Sequence, residues 1–291
     1  GFDQEDIHIS VITVCGQNIG CEKMISPNNA SVDGLACVLA KEMPNWNVRI
    51  YDIEDMYRIP IEEILCRTAE TGGKINVYRN SAWYSQKLVE HKAKKADFTK
   101  YRKSGVYVVI GGAGGIGGIW SQYMISNYNA QIIWVGRSEL NSLIREKIKQ
   151  ISVNGNAPEY LKGDVTNLAS LTQVYSKIKS MYGRINGLVH SAVGEFDKGI
   201  VNMTYEEYCK VLSVKRKGVL YMNEVFGQEP LDFVLYFSSL SSFERPQGQG
   251  GYVSGCCFVD AFAKQLQQKV PYAVRTINWG FWGNIGAAKR M

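Results

Sequence analysis

A glycine-rich segment directly after a short apolar run is the feature that most constrains this chain. Residues 106–110 read VYVVI, and residues 111–118 continue as GGAGGIGG at the start of a predicted helix. Such a turn lets the backbone approach a pyrophosphate, and the positive helix end faces its charge. The strand–turn–helix context predicts a dinucleotide-binding loop, with a ligand-free tight turn as the alternative. The loop residues given this role are Gly111, Gly112, Ala113, Gly114, Gly115, Ile116 and Gly117.

Apolar strands alternate with amphipathic helices from this loop onward. Strands are predicted at residues 106–110, 131–135, 159–161, 187–190, 233–237 and 273–277. Helices are predicted at residues 115–127, 140–151, 168–182, 205–226 and 251–269. This alternation is typical of βαβ units, whose parallel sheet is covered by helices on both faces. We therefore predict an α/β fold with a Rossmann-like, doubly wound parallel sheet.

The chain before the loop is predicted to form a smaller α/β subdomain. Its strands are predicted at residues 7–14, 47–53 and 74–78, and its helices at residues 31–43 and 61–68. No glycine-rich loop follows these strands, so we expect no nucleotide there. The basic run at residues 91–103 is interpreted as an exposed connection, with docking of an acidic protein as the alternative. The predicted boundaries are residues 1–103 for a structural subdomain and 104–291 for a nucleotide-binding subdomain.

Composition argues against several classes of protein. Lys and Arg total 33 and Asp and Glu total 27, which gives a net charge of +6. That excess is weak for a nucleic-acid partner, and no apolar run approaches the roughly 20 residues that cross a bilayer. The seven cysteines are scattered without a CxxC motif and there are only three histidines, which argues against a disulfide framework and a metal site. We expect a cytoplasmic protein with reduced thiols.

The end of the second strand after the loop indicates which dinucleotide is bound. An NAD site usually places a carboxylate there for the ribose hydroxyls. This chain has Arg137 and Ser138, whose guanidinium and hydroxyl suit a 2′-phosphate. NADPH is therefore the expected cofactor, although Glu139 is close enough to leave NADH open.

Residues after the third and fourth strands are expected to complete the cofactor site. Asp164 and Val165 follow the third strand and are expected at the adenine edge. Asp164 alone could equally be a helix cap or a loop residue. Ser191 and Ala192 follow the fourth strand and are expected beside the nicotinamide ribose, whereas His190 is interpreted as structural.

Ser239 follows the fifth strand of this sheet, and Tyr252 lies 13 residues later near the start of a helix. With the loop, these positions resemble the short-chain dehydrogenase/reductase superfamily. More narrowly, the chain resembles the ketoreductase (KR) domain of modular polyketide synthases, of the type served by free-standing acyltransferases. The resemblance covers nearly the whole chain, and residues 1–103 look like that family's truncated, Rossmann-like structural subdomain without cofactor.

The resemblance implies a role for each matching residue. Ser239 would bind the substrate carbonyl and Tyr252 would donate the proton, while the VLSVK segment places Lys215 where the family has its lysine. A tyrosine with a pKa of about 10 also needs a nearby cation to stabilise its phenolate. Cys256 departs from the family, which has Asn at Tyr+4, and it shares a helix face with Tyr252.

Stereochemistry also follows from the resemblance. B-type members carry an Asp after the fourth strand, and this chain retains Asp197 there. A-type members carry a Trp eight residues before the tyrosine, where this chain has Glu244. A B-type, D-configured hydroxyl is therefore expected, with a solvated loop acid as the alternative role for Asp197. Trp279 and Trp282 are expected either to line the substrate pocket or to pack in the core.

The expected activity is NADPH-dependent reduction of a ketoacyl thioester on an acyl carrier protein. Partners would be that carrier, with its phosphopantetheine-tethered substrate, and other synthase domains, but neither nucleic acid nor a membrane span. One alternative is a degenerate domain kept as a scaffold, because Cys256 replaces the family's Asn. Another is a free-standing reductase of small carbonyls, but the resemblance of residues 1–103 to the structural subdomain argues against it.

Overall fold

The strands form two sheets in a computed structural model that describes residues 7–20, 24–67, 72–92, 99–153, 156–194 and 198–283. The chain divides into two compact units. The first comprises Gly1–Lys94, Gly194–Leu212 and Ser239–Gln268, and the second comprises Lys95–Val193, Ser213–Ser238 and Lys269–Met291. Each unit draws on three stretches of sequence. The predicted boundary between residues 103 and 104 remains a prediction about subdomain organisation.

The first unit contains a four-stranded sheet in the order β1-β2-β3-β4. These strands are β1 (His8–Val14), β2 (Asn47–Ile53), β3 (Ile75–Arg79) and β4 (Ala82–Ser85). β1, β2 and β3 run parallel, and β4 returns antiparallel to β3. The predicted strands are confirmed, but β4 was not predicted because AWYS is too short for a pattern of alternation.

The second unit contains a six-stranded sheet in the order β10-β9-β8-β5-β6-β7. These strands are β5 (Val106–Ile110), β6 (Gln131–Gly136), β7 (Glu159–Lys162), β8 (Gly187–His190), β9 (Phe233–Ser239) and β10 (Ala273–Trp279). β8, β5, β6 and β7 pair in parallel, as do β8 and β9. The predicted α/β fold with a Rossmann-like parallel sheet is confirmed, whereas the smaller structural subdomain stays a prediction.

The helices follow the predicted alternation closely. They are α1 (Pro27–Glu42), α2 (Ile61–Cys66), α3 (Gly115–Tyr128), α4 (Ser142–Ile151), α5 (Leu168–Tyr182), α6 (Tyr205–Phe226), α7 (Ser241–Glu244) and α8 (Gly250–Gln267). α1 begins before the predicted residue 31 because Ser26 caps it, accepting a hydrogen bond from the Asn29 amide at 3.4 Å. The single-turn helix α7 was not predicted, since four residues carry no periodic signal.

Helices α1 and α8 pack closely within the first unit. Ala30 and Val38 of α1 share a buried cluster with Val253 and Cys257 of α8. A Cβ at Gly34 would lie 2.9 Å from Cys257 Sγ, so this position needs a glycine for the helices to approach. The packing fixes α8, which carries Tyr252, against the first unit's own core.

A buried polar network lies at the carboxyl ends of β1, β2 and β3. Asp52 accepts hydrogen bonds from Thr13 Oγ1 at 3.1 Å and from the Gln17 amide at 2.9 Å, and it forms an ion pair with Arg79. Asp33 accepts hydrogen bonds from Thr13 Oγ1 at 2.6 Å and from Gln17 Nε2 at 2.8 Å. This sheet edge is thus occupied by the chain's own charged side chains.

The described residues of the basic connection at 91–103 are exposed, as predicted, except for the half-buried Tyr101. Residues 93–98 lie outside the described residues. Tyr101 packs edge-on against Trp120 and Phe233, with ring centroids 6.1 and 5.4 Å away, and Arg102 forms an ion pair with Asp232. An aromatic ring and a paired guanidinium therefore anchor this end in the second unit. None of the described helices is both long and apolar enough to cross a bilayer.

Candidate functional site

The glycine loop packs directly on the end of β8. Gly111 has φ +77°, a left-handed conformation that glycine adopts without strain. A Cβ there would lie 2.7 Å from the Ala192 backbone nitrogen, and one at Gly117 would lie 2.9 Å from Ser191 Oγ. The loop, Ser191 and Ala192 are thus neighbours in the second unit, and their role in binding a cofactor stays a prediction.

The buried side chain of Trp134 packs against the glycine loop at Gly112. A Cβ at Gly112 would lie 2.1 Å from Trp134 Cδ1, so the indole fills the space that a side chain would need. Trp134 Nε1 donates to Ser121 Oγ at 2.9 Å, and Ser121 Oγ donates to the Gly117 carbonyl at 2.7 Å. These contacts fix the backbone of the loop, and the sequence reasoning had not identified either residue.

The amino end of α3 is shaped to receive an anion. Its N-cap is Gly114, and no side chain caps the first turn by hydrogen bonding. The amides there therefore face outward with the positive end of the helix dipole. Lys147 adds a cation beside the loop, because its ammonium donates to the Ala113 carbonyl at 2.7 Å. An uncapped glycine turn with an adjacent lysine fits the pyrophosphate of a dinucleotide.

The residues after β6 differ in how they are engaged. Glu139 forms an ion pair with Lys162, so its charge is already partnered. The Ser138 carbonyl accepts a hydrogen bond from Tyr160 Oη at 2.7 Å, which holds the backbone of this turn. Arg137 is exposed, and no ion pair is found for it among the described residues. Its guanidinium is therefore available for an anionic ligand.

Asp164 is a loop residue that organises its own turn. Its Oδ1 accepts hydrogen bonds from the Thr166 amide and from Thr166 Oγ1, both at 2.8 Å. The N-cap of α5 is Asn167, so Asp164 is not the helix cap. Val165 beside it is buried. A role for Asp164 and Val165 at the adenine edge stays a prediction.

Lys215 lies on α6, and a hydrogen bond ties its side chain to strand β9 inside the second unit. Its side chain is only 3% exposed, and its ammonium donates to the Phe237 carbonyl at 2.6 Å. Phe237 precedes Ser239 by two residues in β9. The bond thus joins the candidate lysine to the strand that ends at the candidate serine.

His190 is a buried neighbour of Lys215 and is neutral. Burial, followed by the charge of Lys215, lowers the pKa of His190 to about 3. Its Nε2 lies 3.2 Å from the Val214 carbonyl, which fits a neutral ring that donates from Nε2. A Cβ at Gly218 would lie 2.5 Å from Nε2, so α6 approaches the ring closely. These contacts support a structural role for His190.

Ser239, Tyr252 and Cys256 come together in the first unit. A hydrogen bond joins the side chains of Tyr252 and Ser239, and another joins Tyr252 and Cys256. Burial, followed by the Cys256 thiol, raises the pKa of Tyr252 well above its usual range, whereas the bond with Ser239 lowers the pKa. Tyr252 therefore holds its proton at neutral pH. Its proximity to Lys215, which belongs to the second unit, stays a prediction.

Ser241 orients Ser239, a contact that the sequence reasoning missed. The Ser241 amide donates to Ser239 Oγ at 3.1 Å, and the two hydroxyl oxygens are 3.0 Å apart. The serine-rich FSSLSS segment was a usable signal for such a contact. For Trp134 and Lys147 the sequence contains no comparable signal.

Two other candidates, Asp197 and Trp279, have different outcomes. Asp197 lies outside the described residues. Trp279 packs against the core of the second unit, with its ring edge-on to Phe237 at 5.4 Å and to Trp282 at 5.2 Å. Of the two alternatives for Trp279, core packing is therefore the one observed.

Comparison with known proteins gives a consistent result. A model of the KR domain family matches residues 105–284. Polyketide synthase PksN of Bacillus subtilis (strain 168) is 40% identical over 98% of this chain, and PksM of the same organism is 41% identical over 99%. The chain spans 5% of the length of PksN and 7% of the length of PksM.

Solved structures agree with this match. A ketoreductase domain from the bacillaene assembly line is 25% identical, with a TM-score of 0.79, and the match covers 97% of this chain and 67% of that one. PlmKR1, the ketoreductase of the first module of phoslactomycin biosynthesis in Streptomyces sp. HK803, has a TM-score of 0.85. That match covers 96% of this chain and 65% of the other, and at 22% identity it shows the fold alone.

Proposed function

We propose, on the premise that this chain belongs to the KR domain family of the short-chain dehydrogenase/reductase superfamily, that it reduces a ketoacyl thioester to the hydroxyacyl thioester. The observation that carries the proposal is the hydrogen bond between Ser239, the last residue of β9, and Tyr252 on α8. It joins a carbonyl-binding hydroxyl to a proton donor. The substrate would be tethered by phosphopantetheine to an acyl carrier protein, with other domains of a polyketide synthase as neighbours. The net charge of +6 is compatible with an acidic carrier.

A reduced nicotinamide, when bound, supplies the hydride that reaches the carbonyl carbon. The glycine loop and the uncapped amino end of α3 would hold its pyrophosphate. We further propose that NADPH is preferred, because Arg137 is exposed for a 2′-phosphate while Glu139 is engaged by Lys162.

Tyr252 would act as the general acid and Ser239 would orient the carbonyl. Hydride addition leaves an alkoxide oxygen, which is far more basic than a phenolate, so the proton moves readily from Tyr252 Oη to that oxygen. The raised pKa of Tyr252 keeps this proton in place until the alkoxide forms. The buried ammonium of Lys215 is the group we assign to stabilise the resulting phenolate.

A substitution at Cys256 gives the most direct test of the proposal. The thiol contacts Tyr252, but it is a weaker hydrogen-bonding group than the carboxamide that the family resemblance leads one to expect. We propose that Cys256 slows proton return to Tyr252 without abolishing turnover. The competing candidate is a reduction-incompetent domain kept as a scaffold, which the Cys256 substitution favours.

The finer proposals concern product and assembly line. Glu244 occupies the position of the A-type tryptophan, and the sequence retains Asp197 seven residues after His190, so we propose B-type reduction to a D-configured hydroxyl. We also propose a synthase of the type that uses free-standing acyltransferases, as the sequence resemblance implies. These two assignments extend the core proposal and do not support it.

Turnover of a short β-ketoacyl N-acetylcysteamine thioester, followed by loss of absorbance of the reduced cofactor, tests the proposal. Tyr252→Phe should abolish turnover while cofactor binding, measured by fluorescence, is retained. Tyr123→Phe, an exposed tyrosine that is 49% accessible, is the matched control and should behave as wild type. Cys256→Asn should raise kcat severalfold, and chiral chromatography of the product should show the D-alcohol.

Wild-type protein that binds NADPH and yet reduces neither this thioester nor a carrier-bound ketoacyl group would contradict the enzymatic proposal. Recovery of turnover in Cys256→Asn alone would then establish the scaffold candidate and identify the substitution responsible.

A further inference from the structure

A basic cleft of about 370 Å³ lies within the first unit. The end of α1, the segment before β3, the segment after β4 and the turn between α7 and α8 form its walls. Lys41, Lys74, Lys87 and Arg245 line it, against a single described acid, Glu244. Four cations around so small a volume repel one another, and an anion in the cleft would relieve that repulsion.

Arg245 is the most unusual of these residues. It has φ +50°, which is uncommon for a side chain other than glycine, asparagine or aspartate, and it is 7% exposed. Its guanidinium donates from one terminal nitrogen to Gln86 Oε1 at 2.8 Å, while Nε is buried without a hydrogen-bond partner among the described residues. A buried guanidinium with an unsatisfied donor is costly, and an anion in the cleft would offset part of that cost through its charge.

The buried carboxyl group of Asp33 does not fully neutralise the positive charge of Arg245. Asp33 lies within electrostatic range of Arg245, but burial and then Asp52 raise the pKa of Asp33 to about 7. Asp33 is therefore partly protonated at neutral pH. Asp52, a charged neighbour of Asp33, forms an ion pair with Arg79. The positive charge of Arg245 thus remains available to an anion from the cleft.

The cleft is rigid enough to hold its charges in place. The Lys41 ammonium donates to the carbonyl of Glu244, which ties the end of α1 to the turn before Arg245. Gly73 has φ +82°, and a Cβ there would lie 2.5 Å from the Cys37 carbonyl, so the segment before β3 is seated on α1. Preorganised cations lose little entropy when a ligand binds.

We propose that this cleft binds a phosphate group, specifically the phosphate of a phosphopantetheine arm. Arginine and lysine are the side chains that recognise phosphate by charge-assisted hydrogen bonds, and the volume admits the phosphate with part of its chain. Arg245 lies six residues after Ser239 and seven before Tyr252, in the same unit. The arm assignment rests on the proposed function, whereas the phosphate chemistry rests on the cleft alone.

Calorimetric titration of the whole chain with 4′-phosphopantetheine, pantetheine and inorganic phosphate tests the inference. We expect 4′-phosphopantetheine to bind roughly tenfold more tightly than pantetheine, which lacks the phosphate. Lys87→Glu should reduce that preference at least roughly fivefold, and Arg245→Gln should reduce it further. The matched control is Lys92→Glu, an exposed lysine in the same segment that does not line the cleft, and it should bind as wild type.

The outcomes separate this inference from the proposed function. Equal binding of 4′-phosphopantetheine and pantetheine, or a preference unchanged in Lys87→Glu, would overturn the cleft assignment. Inorganic phosphate that binds as tightly as the arm would support a phosphate site but overturn its assignment to the arm. Reduction of the N-acetylcysteamine thioester, which has no phosphate, should stay within about twofold of wild type in Lys87→Glu. If the wild-type protein does not reduce the N-acetylcysteamine thioester, that result would contradict the proposed function and not the cleft assignment.

Discussion

The buried Asp33 gives the sharpest test of the structure, through the pH dependence of stability. Asp33 is fully buried in the first unit, and burial followed by Asp52 raises its pKa from 3.8 to about 7. The unfolded chain releases this proton near pH 4, whereas the folded chain keeps it until about pH 7. Between those values the folded state binds more protons, so its stability falls as pH rises.

The magnitude follows from the size of that shift. A shift of about 3 pKa units at about 1.4 kcal/mol each corresponds to about 4 kcal/mol lost by pH 7, with no further loss above it. Asp33→Asn removes this titration. The amide has one acceptor oxygen where the two oxygens of Asp33 contact Thr13 and Gln17, so one contact weakens at a cost of about 1–3 kcal/mol.

Urea unfolding of wild type and Asp33→Asn from pH 5 to pH 8 measures the effect. The stability of the variant relative to wild type should rise by about 2–3 kcal/mol over that range, levelling off above pH 7. Glu62→Gln, which removes an exposed carboxyl group from the same unit, should show no such trend. A relative stability of Asp33→Asn that is flat from pH 5 to pH 8 would refute the reasoning.

Two further predictions concern the second unit. Arg137→Ala should weaken NADPH binding roughly tenfold, measured by cofactor fluorescence, and leave NADH binding within about twofold; equal losses for both cofactors would exclude the 2′-phosphate contact. Gly218→Ala should cost about 1–3 kcal/mol in urea unfolding, because its Cβ would lie 2.5 Å from His190 Nε2, and should lower kcat by displacing Lys215. Unchanged stability and kcat would mean that α6 shifts freely.

Much of the fold could be predicted because the spacing of apolar residues along the sequence indicates most strands and helices. The predicted limits of β5, β8, α5 and α6 match the observed ones at both ends. These elements are continuous apolar runs or amphipathic helices flanked by glycine, asparagine or threonine, so their ends carry sequence signals as well. The missed β4 and α7 are four residues each, too short for either period to be recognised.

The supports of the candidate site could not be predicted in the same way. The glycine loop is recognisable from its own sequence, but the Trp134 indole beneath it comes from the next strand and reads there as an ordinary apolar residue. The buried network of Asp33, Asp52 and Arg79 likewise joins three distant segments. A single amino-acid sequence contains no signal that pairs a buried carboxyl group with its distant partner.

Cys256 shows where local and non-local reasoning meet. Its contact with Tyr252 follows from the i, i+4 spacing on α8, and the structure confirms that contact. Its effect on the pKa of Tyr252 does not follow from spacing, because burial contributes most and depends on everything packed around the helix. α8 is buried along much of its length, and Val253 and Cys257, which adjoin Tyr252 and Cys256 in sequence, pack against α1 residues more than 200 positions earlier. Under the proposed function, a substitution that loosens α1 against α8 should therefore change kcat without altering a residue of the candidate site, and an unchanged kcat would contradict this link.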